Sequence, residues 1–289
     1  MNAWEKIKYE FKKGDSAIRQ IIMINLAVFI FTILVSAVAT VYAFEGKDLL
    51  KYFYLPSHGG TLLMRPWTII TNIFFHEGFS HIFWNMLILF FLGRILEDFM
   101  SSRNIWRIFL FGGIAGSLLF VISYNVFPIF SEAVSQATLL GASGGVTAIV
   151  VATGVFLPRY QIRPFGLFNI ELRWIALFFV FRDLYSFPSG ENLGGMFAHL
   201  GGALFGALFI LNLQGKINLP SFNWDRLKPR RARKVVYYEK DSKKKKTEKK
   251  TKPNQQEIDA ILDKISHSGY DSLSKAEKEI LFKASEKGS

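Results

Sequence analysis

Long apolar segments alternate with short charged segments through the first three quarters of the chain. The first apolar segment covers residues 21–44 and contains no charged residue. A helix of this length crosses a hydrocarbon core of roughly 30 Å, because each residue adds about 1.5 Å. We therefore predict a membrane-spanning helix. A cleaved signal peptide is the weaker interpretation, since the segment is long for one and does not end in a convincing small-x-small cleavage site.

Five further apolar segments predict additional spans, which makes six in total. The fifth span contains Arg182 and Asp183, and Arg173 near its start has to extend its charged end toward the membrane surface. Residues 45–66 are of mixed character and predict a loop at the membrane interface. The pattern indicates an all-α, polytopic membrane protein, built as a bundle of six transmembrane helices. The five further segments cover residues 80–96, 108–127, 141–157, 172–187 and 194–213.

Lys and Arg concentrate on one side of the predicted bundle. They occur in alternate connecting segments and are absent from residues 128–140. By the positive-inside rule, both termini then face the cytoplasm, which requires an even number of spans. This pattern predicts a multi-pass protein of the cell inner (plasma) membrane, with its membrane domain over residues 20–213. The basic segments are residues 1–19, 94–107, 158–173 and the tail after residue 213.

Most of the net charge of +12 comes from one part of the tail. Residues 216–252 contain 15 Lys and Arg residues against four Asp and Glu residues. We interpret residues 214–254 as a basic, disordered linker on the cytoplasmic side. Nucleic-acid binding is the alternative, but no stacking-aromatic motif accompanies the charge, so we do not expect a nucleic-acid partner.

Residues 255–289 predict a short two-helix segment. Four apolar residues recur at i, i+3, i+4 and i+7, which is typical of an amphipathic helix. Ser274 and Glu277 have the spacing of a capping box that opens a second helix, ending near Lys283. Two short helices bury little apolar surface, so we expect this segment either to bind a partner of unknown identity or to be only marginally stable. The apolar residues are Ile258, Ile261, Leu262 and Ile265.

A serine lies between glycines deep in apolar sequence. Residues 141–145 read Gly-Ala-Ser-Gly-Gly, and no charged residue occurs between Ala133 and Pro158. We predict that Ser143 is a nucleophile inside the membrane, near the outer end of the fourth span. The flanking glycines also allow close approach of a neighbouring helix.

His199 is the candidate base for this serine. It is the only ionisable side chain from Asn192 through Gly215, and an ionisable residue inside a membrane predicts a functional site. A histidine that only bonds a neighbouring helix for packing is the alternative. Gly202 and Gly206 follow His199 and allow its helix to approach the Ser143 helix closely, as activation of a serine by an imidazole requires.

The second span supplies candidate donors for an oxyanion. His81 and Asn85 are four residues apart and share a helix face, and both can donate hydrogen bonds. The backbone N–H of Ser143 is a third candidate. Metal binding by His76 and His81 is the alternative, but a five-residue spacing places them on different faces of a regular helix. The chain has no cysteine, so thiolate sites are excluded, and we expect neither a metal nor another cofactor.

Gly141, Ser143 and Gly145 also match the nucleophile elbow of α/β-hydrolases, and Asp183 precedes His199 in the matching order. That motif needs a strand before it and a helix after it. Here the flanking segments are apolar runs of membrane length, which argues against this alternative.

Together these motifs resemble the rhomboid family of intramembrane serine proteases. The shared elements are the Gly-x-Ser-x-Gly of span four, the Ala-His-x-x-Gly-x-x-x-Gly of span six and the His-x-x-x-x-His-x-x-x-Asn that opens span two. Trp67, nine residues before His76, and the Gly-Arg-x-x-Glu that begins at Gly93 also look like family positions. The resemblance covers about residues 20–213, and the two-helix tail is similar to extensions on some bacterial members.

The resemblance implies a Ser143–His199 dyad without a third, acidic member. It also implies an oxyanion hole of His81, Asn85 and the Ser143 amide, with Gly141 and His76 in supporting positions. Span five would be a mobile wall, and residues 45–66 a half-submerged loop. Two positions depart from the family pattern. Thr147 replaces a common aromatic residue, which leaves open how the His199 ring is held, and Thr68 replaces a common arginine.

The sequence therefore predicts an intramembrane serine endopeptidase that cleaves single-span membrane proteins near the outer face of the bilayer. The first alternative is a catalytically silent relative that binds membrane helices. The second is a transporter or channel, for which intramembrane carboxylates or inverted repeats are expected.

Overall fold

The computed structural model describes residues 16–42, 46–190, 192–218, 255–268, 272–274, 276–278 and 280. The chain divides into two compact units, Met1–Phe222 and Asn223–Ser289. The first unit contains the predicted membrane domain and the second contains the tail. Of the predicted N-terminal segment, residues 1–19, the first 15 residues lie outside the described residues, and of the predicted linker, residues 214–254, so do residues 219–254.

Six helices in the first unit correspond to the six predicted apolar segments. The fifth segment, which contains Arg182 and Asp183, is confirmed as a helix. The third helix begins six residues before the predicted start, because Ser101 is extended and the polar turn that follows is already helical. The six helices are α1 (Ala17–Val41), α2 (Phe79–Glu97), α3 (Ser102–Val126), α4 (Ser143–Phe156), α5 (Leu172–Ser186) and α6 (Leu193–Leu213).

Four of these helices, α1, α2, α3 and α6, are long and apolar enough to cross a membrane. The α4 helix is apolar but has only 14 residues. The α5 helix has 15 residues and carries three charged side chains. The all-α, polytopic bundle is thus confirmed, whereas six complete spans and the cytoplasmic position of both termini stay predictions.

The α4 helix is the centre of the bundle. All eleven residues from Gly144 to Gly154 are buried. A helix that is apolar on every side is stable when other helices surround it. Glycines and alanines provide the close contacts, since a Cβ atom on Gly112 of α3 would overlap the Ala148 side chain and one on Gly206 of α6 would overlap the Ala148 carbonyl.

Hydrogen bonds anchor the start of α1 to the end of α2. The Glu97 carboxylate accepts hydrogen bonds from the Ser16 hydroxyl, at 2.7 Å, and from the Ile18 N–H, at 3.2 Å. Gly93 provides the space for this contact, because a Cβ atom there would lie 2.5 Å from the Ile18 Cδ1 atom. The two residues that look like family positions at the end of α2 therefore hold the first helix.

The predicted interfacial loop, residues 45–66, is more ordered than its mixed sequence indicates. It contains the short helices Gly46–Lys51 and Gly59–Met64. Between them, Leu55–Pro56 pairs antiparallel with Thr138–Leu139, which lies just before α4. The loop thus supports the segment that leads to Ser143. Two further short strands, Gln161–Ile162 and Ile170–Glu171, pair between α4 and α5.

In the second unit, the described residues include the helix α7 (Gln255–Ser268). The predicted capping box is confirmed, since the Ser274 N–H donates to Glu277 Oε2 at 2.7 Å and the Glu277 N–H donates to the Ser274 hydroxyl at 3.3 Å. Hydrogen bonds from Lys264 and from Ser274 lower the pKa of Glu277 to about 2. The end of the second predicted helix, near Lys283, lies outside the described residues.

Candidate active site

Ser143 is the first residue of α4 and follows a turn that only glycine fits well. Gly141 has a φ of 138°, a backbone conformation that residues with a side chain rarely adopt. Its N–H donates to the carbonyl of Asn72 at 2.9 Å, which fixes the turn. Among the described residues, no side chain caps α4. The N–H groups of the first turn of a helix, here including that of Ser143, have no intrahelical partners. Because no side chain in the described part of the chain caps them, they can donate to an anion.

The α4 and α6 helices pack backbone against backbone at the residues next to Ser143 and His199. A Cβ atom on Gly144 would lie 3.2 Å from the Ala198 carbonyl. Gly144 and Ala198 are the chain neighbours of Ser143 and His199. The predicted role of the glycines in bringing these two helices together is confirmed by this contact.

A cavity of about 1050 Å³ opens over the start of α4. The side chains of Ser143 and His199 line it, and so do those of His81 and Asn85 from α2. Four of the six predicted site residues therefore share one cavity. Thr147, one turn after Ser143, also lines it.

Gly141 lies directly against the His81 ring. A Cβ atom on Gly141 would be 2.9 Å from His81 Cε1, 3.0 Å from His81 Nε2 and 3.6 Å from the Ser143 Oγ. The edge of the His81 ring that carries Nε2 thus faces the turn before the serine. The Asn85 amide donates one N–H to the His81 carbonyl at 2.9 Å, and its second N–H stays available for another acceptor.

His76 is placed behind His81 and not in the cavity wall. Its side chain is 2% exposed, and the two histidine rings meet edge to face with centroids 5.1 Å apart. Neither ring nitrogen of His76 has a hydrogen-bond partner of good geometry among the described residues. Burial, followed by the charge that His81 can carry, lowers the pKa of His76 to about 4, and the Phe74 backbone only partly opposes this. A neutral His76 ring therefore packs against His81 at pH 7.

Asp183 is a site residue that the sequence interpretation considered only under the α/β-hydrolase alternative, which it rejected. Its Oδ2 lies 3.0 Å from His199 Nδ1, and its Oδ1 accepts from Arg182 at 2.7 Å. The resemblance implied no acidic member, and the structure differs because α5 packs beside α6 with this side chain turned inward. The signal was present, since a carboxylate in an apolar segment predicts function by the same rule that identified His199. The contact also shows one group that holds the His199 ring, a question that the threonine at position 147 had left open.

Comparison with known proteins shows which family this chain belongs to. A family model described as the rhomboid domain matches residues 64–215, slightly more than half of the chain. A second model, for a family of unknown function (DUF6576), matches residues 241–287 of the tail. The first match covers α2 to α6 and all the site residues described above.

Three curated relatives are each similar over about half of the chain. RHOMBOID-like protein 12, mitochondrial, from Arabidopsis thaliana is 28% identical over 153 residues, which are 50% of this chain and 45% of the relative. Rhomboid protein 1, mitochondrial, from Saccharomyces cerevisiae is 28% identical over 145 residues, 49% of this chain and 40% of the relative. Rhomboid-like protein 16, chloroplastic, from Arabidopsis thaliana is 30% identical over 147 residues, 47% of this chain and 45% of the relative.

This chain thus spans less than half the length of each of these relatives. The family model, by contrast, covers more than half of this chain, and its match coincides with the helices that build the cavity. The chain is therefore a multi-pass membrane protein that belongs to the rhomboid family.

Proposed function

We propose that this protein is an intramembrane serine endopeptidase in which Ser143 is the nucleophile and His199 the general base. One observation carries the proposal. Ser143 and His199 open into the same cavity from two helices that touch through Gly144 and Ala198. A serine and an imidazole in such a position support nucleophilic attack on a carbonyl group.

The chemistry follows from the side chains that line the cavity. His199 accepts the Ser143 hydroxyl proton as the oxygen attacks the peptide carbonyl, and later donates this proton to the leaving amine. The negative charge on the carbonyl oxygen is stabilised by the Ser143 N–H and by the His81 and Asn85 side chains. Water then reaches the acyl-enzyme through the same cavity, which has a partly polar wall.

The proposed substrate is a single transmembrane segment of another protein. The α5 wall of the cavity carries large apolar side chains that are more than half exposed, as expected for a surface in lipid. The cavity matches the upper end of the usual ligand-pocket range of about 300–1,000 Å³, so it accommodates a short extended stretch of chain. Substrate spans weakened by Gly or Pro near the outer end are the preferred class. The exposed residues on α5 are Trp174, Leu177, Phe178, Phe181, Leu184 and Tyr185.

The proposed setting is the cell inner (plasma) membrane with both termini cytoplasmic, as the distribution of Lys and Arg predicts. Ser143 then lies near the outer boundary of the bilayer. Cysteine-accessibility labelling tests this arrangement, because single cysteines introduced before residue 16 and after residue 214 should react only from the cytoplasmic side.

Cleavage of a reconstituted single-span substrate tests the activity. Wild-type protein in liposomes should cleave a substrate whose span contains a Gly-Pro pair, and a matched span with Leu-Leu should be cleaved much more slowly. Ser143→Ala should abolish cleavage, and Asn85→Ala should lower the rate by about 10²–10³-fold, as loss of one oxyanion donor does. Equal cleavage by wild type and Ser143→Ala overturns the proposal. Binding of the substrate without any cleavage indicates the silent relative instead.

A further inference from the structure

We propose that Asp183 is a positioning residue that extends the Ser143–His199 pair to a Ser–His–Asp triad. This inference rests on the proposed function of the cavity. It concerns a carboxylate that the family resemblance does not supply, and it is carried by the contact between Asp183 and the His199 ring.

The contact selects one tautomer of the imidazole. Asp183 Oδ2 lies 3.0 Å from His199 Nδ1. A carboxylate accepts hydrogen bonds, so Nδ1 carries the proton and donates it. The lone pair is then on Nε2, the nitrogen that stays free to take the Ser143 proton. The same division of roles makes a serine triad effective, since the carboxylate orients the ring and stabilises the imidazolium that forms.

The carboxylate is buried and its charge is balanced. Asp183 is 5% exposed, and a buried carboxylate without a cation is strongly disfavoured. Arg182 supplies the cation, with its Nη2 and Nε at 2.7 Å and 3.2 Å from Oδ1. The two oxygens thus have separate partners. Arg182 compensates the charge on Oδ1, and Oδ2 is left to accept from His199.

The position of Asp183 on α5 shows that this contact is built into the packing. Leu172, Ala176 and Asp183 are the buried residues of α5. Ala176 packs against Gly154 of α4 in the first half of the helix. Asp183 is the buried side chain of the second half, and it points at α6. The orientation of the His199 ring therefore depends on where the last turns of α5 lie.

The first readout is the rate at which a fluorophosphonate probe labels the detergent-solubilised full-length protein. Asp183→Asn should slow labelling by about 10²–10⁴-fold, because an amide at this position can donate to Nδ1 and so favour the wrong tautomer. Asp183→Glu keeps the carboxylate and should recover at least tenfold of the rate lost in Asp183→Asn. Ser186→Ala is the matched control on the same helix, since the Ser186 hydroxyl donates to the Arg182 carbonyl within α5, and its rate should stay within twofold of wild type.

The second readout is independent of activity. ¹⁵N NMR of histidine-labelled protein in a Ser143→Ala background reports which His199 nitrogen carries the proton, and His199→Gln assigns the signal. With Asp183 present, the proton should be on Nδ1, and in the Asp183→Asn variant it should move to Nε2. A neutral His199 protonated on Nε2 in the presence of Asp183 overturns the proposal, and this test holds even if Asp183→Asn does not fold.

The two readouts separate this proposal from the proposed function. If wild type is labelled and Ser143→Ala is not, yet Asp183→Asn matches wild type in rate and tautomer, the positioning role is wrong and the protease function stands. If wild type is not labelled at all while His199 carries its proton on Nδ1, the protease function is wrong, and what remains is that Asp183 orients the His199 ring.

Discussion

Gly202 lies so close to the carbonyl group of Gly144 that a Cβ atom at position 202 would overlap it. Gly144 follows the proposed nucleophile, and Gly202 is three residues after the proposed base. The separation of α4 and α6 at the site is therefore set by these two glycines. Helices in lipid associate through such small residues, since close backbone contact is one of their main sources of attraction.

Gly202→Ala should push α6 away from α4. Overpacking of a tight core costs about 1–3 kcal/mol, and a 1 Å shift of a reacting group can slow a reaction about 10²-fold. We expect a lower thermal midpoint in detergent and a much slower reaction with a fluorophosphonate. Gly59→Ala is the matched control, because no atom of the described residues, apart from its chain neighbours and its own helix backbone, lies within 4 Å of a Cβ atom there. Equal behaviour of the two variants would show that the glycine contact does not position the site.

Gly141→Ala should impair Ser143 more than it impairs the fold. The new methyl group would lie 2.9 Å from the His81 ring, and the alanine backbone would have to keep a φ of 138°. Gly166→Ala separates these effects, since Gly166 has a φ of 73° and, in the described part of the chain, no neighbour within 4 Å. Both variants should lose about 1–2 kcal/mol of stability through backbone strain. Only Gly141→Ala should lose reactivity toward the probe, and a similar loss in Gly166→Ala would contradict the role given to His81.

Glu97→Ala should loosen α1 and leave the cavity intact. The variant removes the acceptor for the Ser16 hydroxyl and for the Ile18 N–H. Loss of a partly buried acceptor costs about 1–3 kcal/mol. Circular dichroism during heating should show a lower midpoint, while the labelling rate of the folded protein stays near that of wild type. The neighbouring Asp98 is exposed, so Asp98→Ala should change neither quantity.

The stability of the protein should fall between pH 7.5 and pH 5 because of His76. Burial lowers its pKa in the folded protein from the ordinary 6.5 to about 4. Below pH 6.5, the unfolded chain binds a proton that the folded protein excludes, so stability is highest above this pH and declines as the pH falls toward 4. The expected loss between pH 7.5 and pH 5 is about 2 kcal/mol, in a range where ordinary carboxylates remain ionised.

Thermal denaturation at the two pH values measures this effect. His76→Phe keeps a ring beside His81 and should remove most of the acid dependence. His267 is exposed in the tail, and His267→Asn should leave the acid dependence unchanged. An acid dependence that is the same in His76→Phe and in wild type would contradict the burial of a neutral imidazole.

The residues that could be predicted from sequence are those whose signal is local. Apolar runs located the helices of the bundle, and one polar residue in an apolar run was enough to select Ser143 and His199. The capping box of Ser274 and Glu277 was also predictable, because both partners lie within one turn.

The contact between Asp183 and His199 could not be predicted in this way. The two residues are 16 positions apart on different helices. Their contact depends on the rotation of α5, and the charges of Arg182 and Asp183 read in sequence as an interruption of the span. The burial of His76 behind His81 was missed for a similar reason, since the spacing of the two residues does not reveal the path of the loop before α2.

Mapping a covalent adduct tests directly whether Ser143 is the nucleophile. Full-length protein in detergent is treated with a fluorophosphonate, digested and analysed by tandem mass spectrometry, with Ser143→Ala and His199→Gln alongside. We expect one phosphonyl group on Ser143 in wild type, none in Ser143→Ala and a strongly reduced yield in His199→Gln. An adduct on another residue, or equal labelling of wild type and Ser143→Ala, would contradict this role of Ser143.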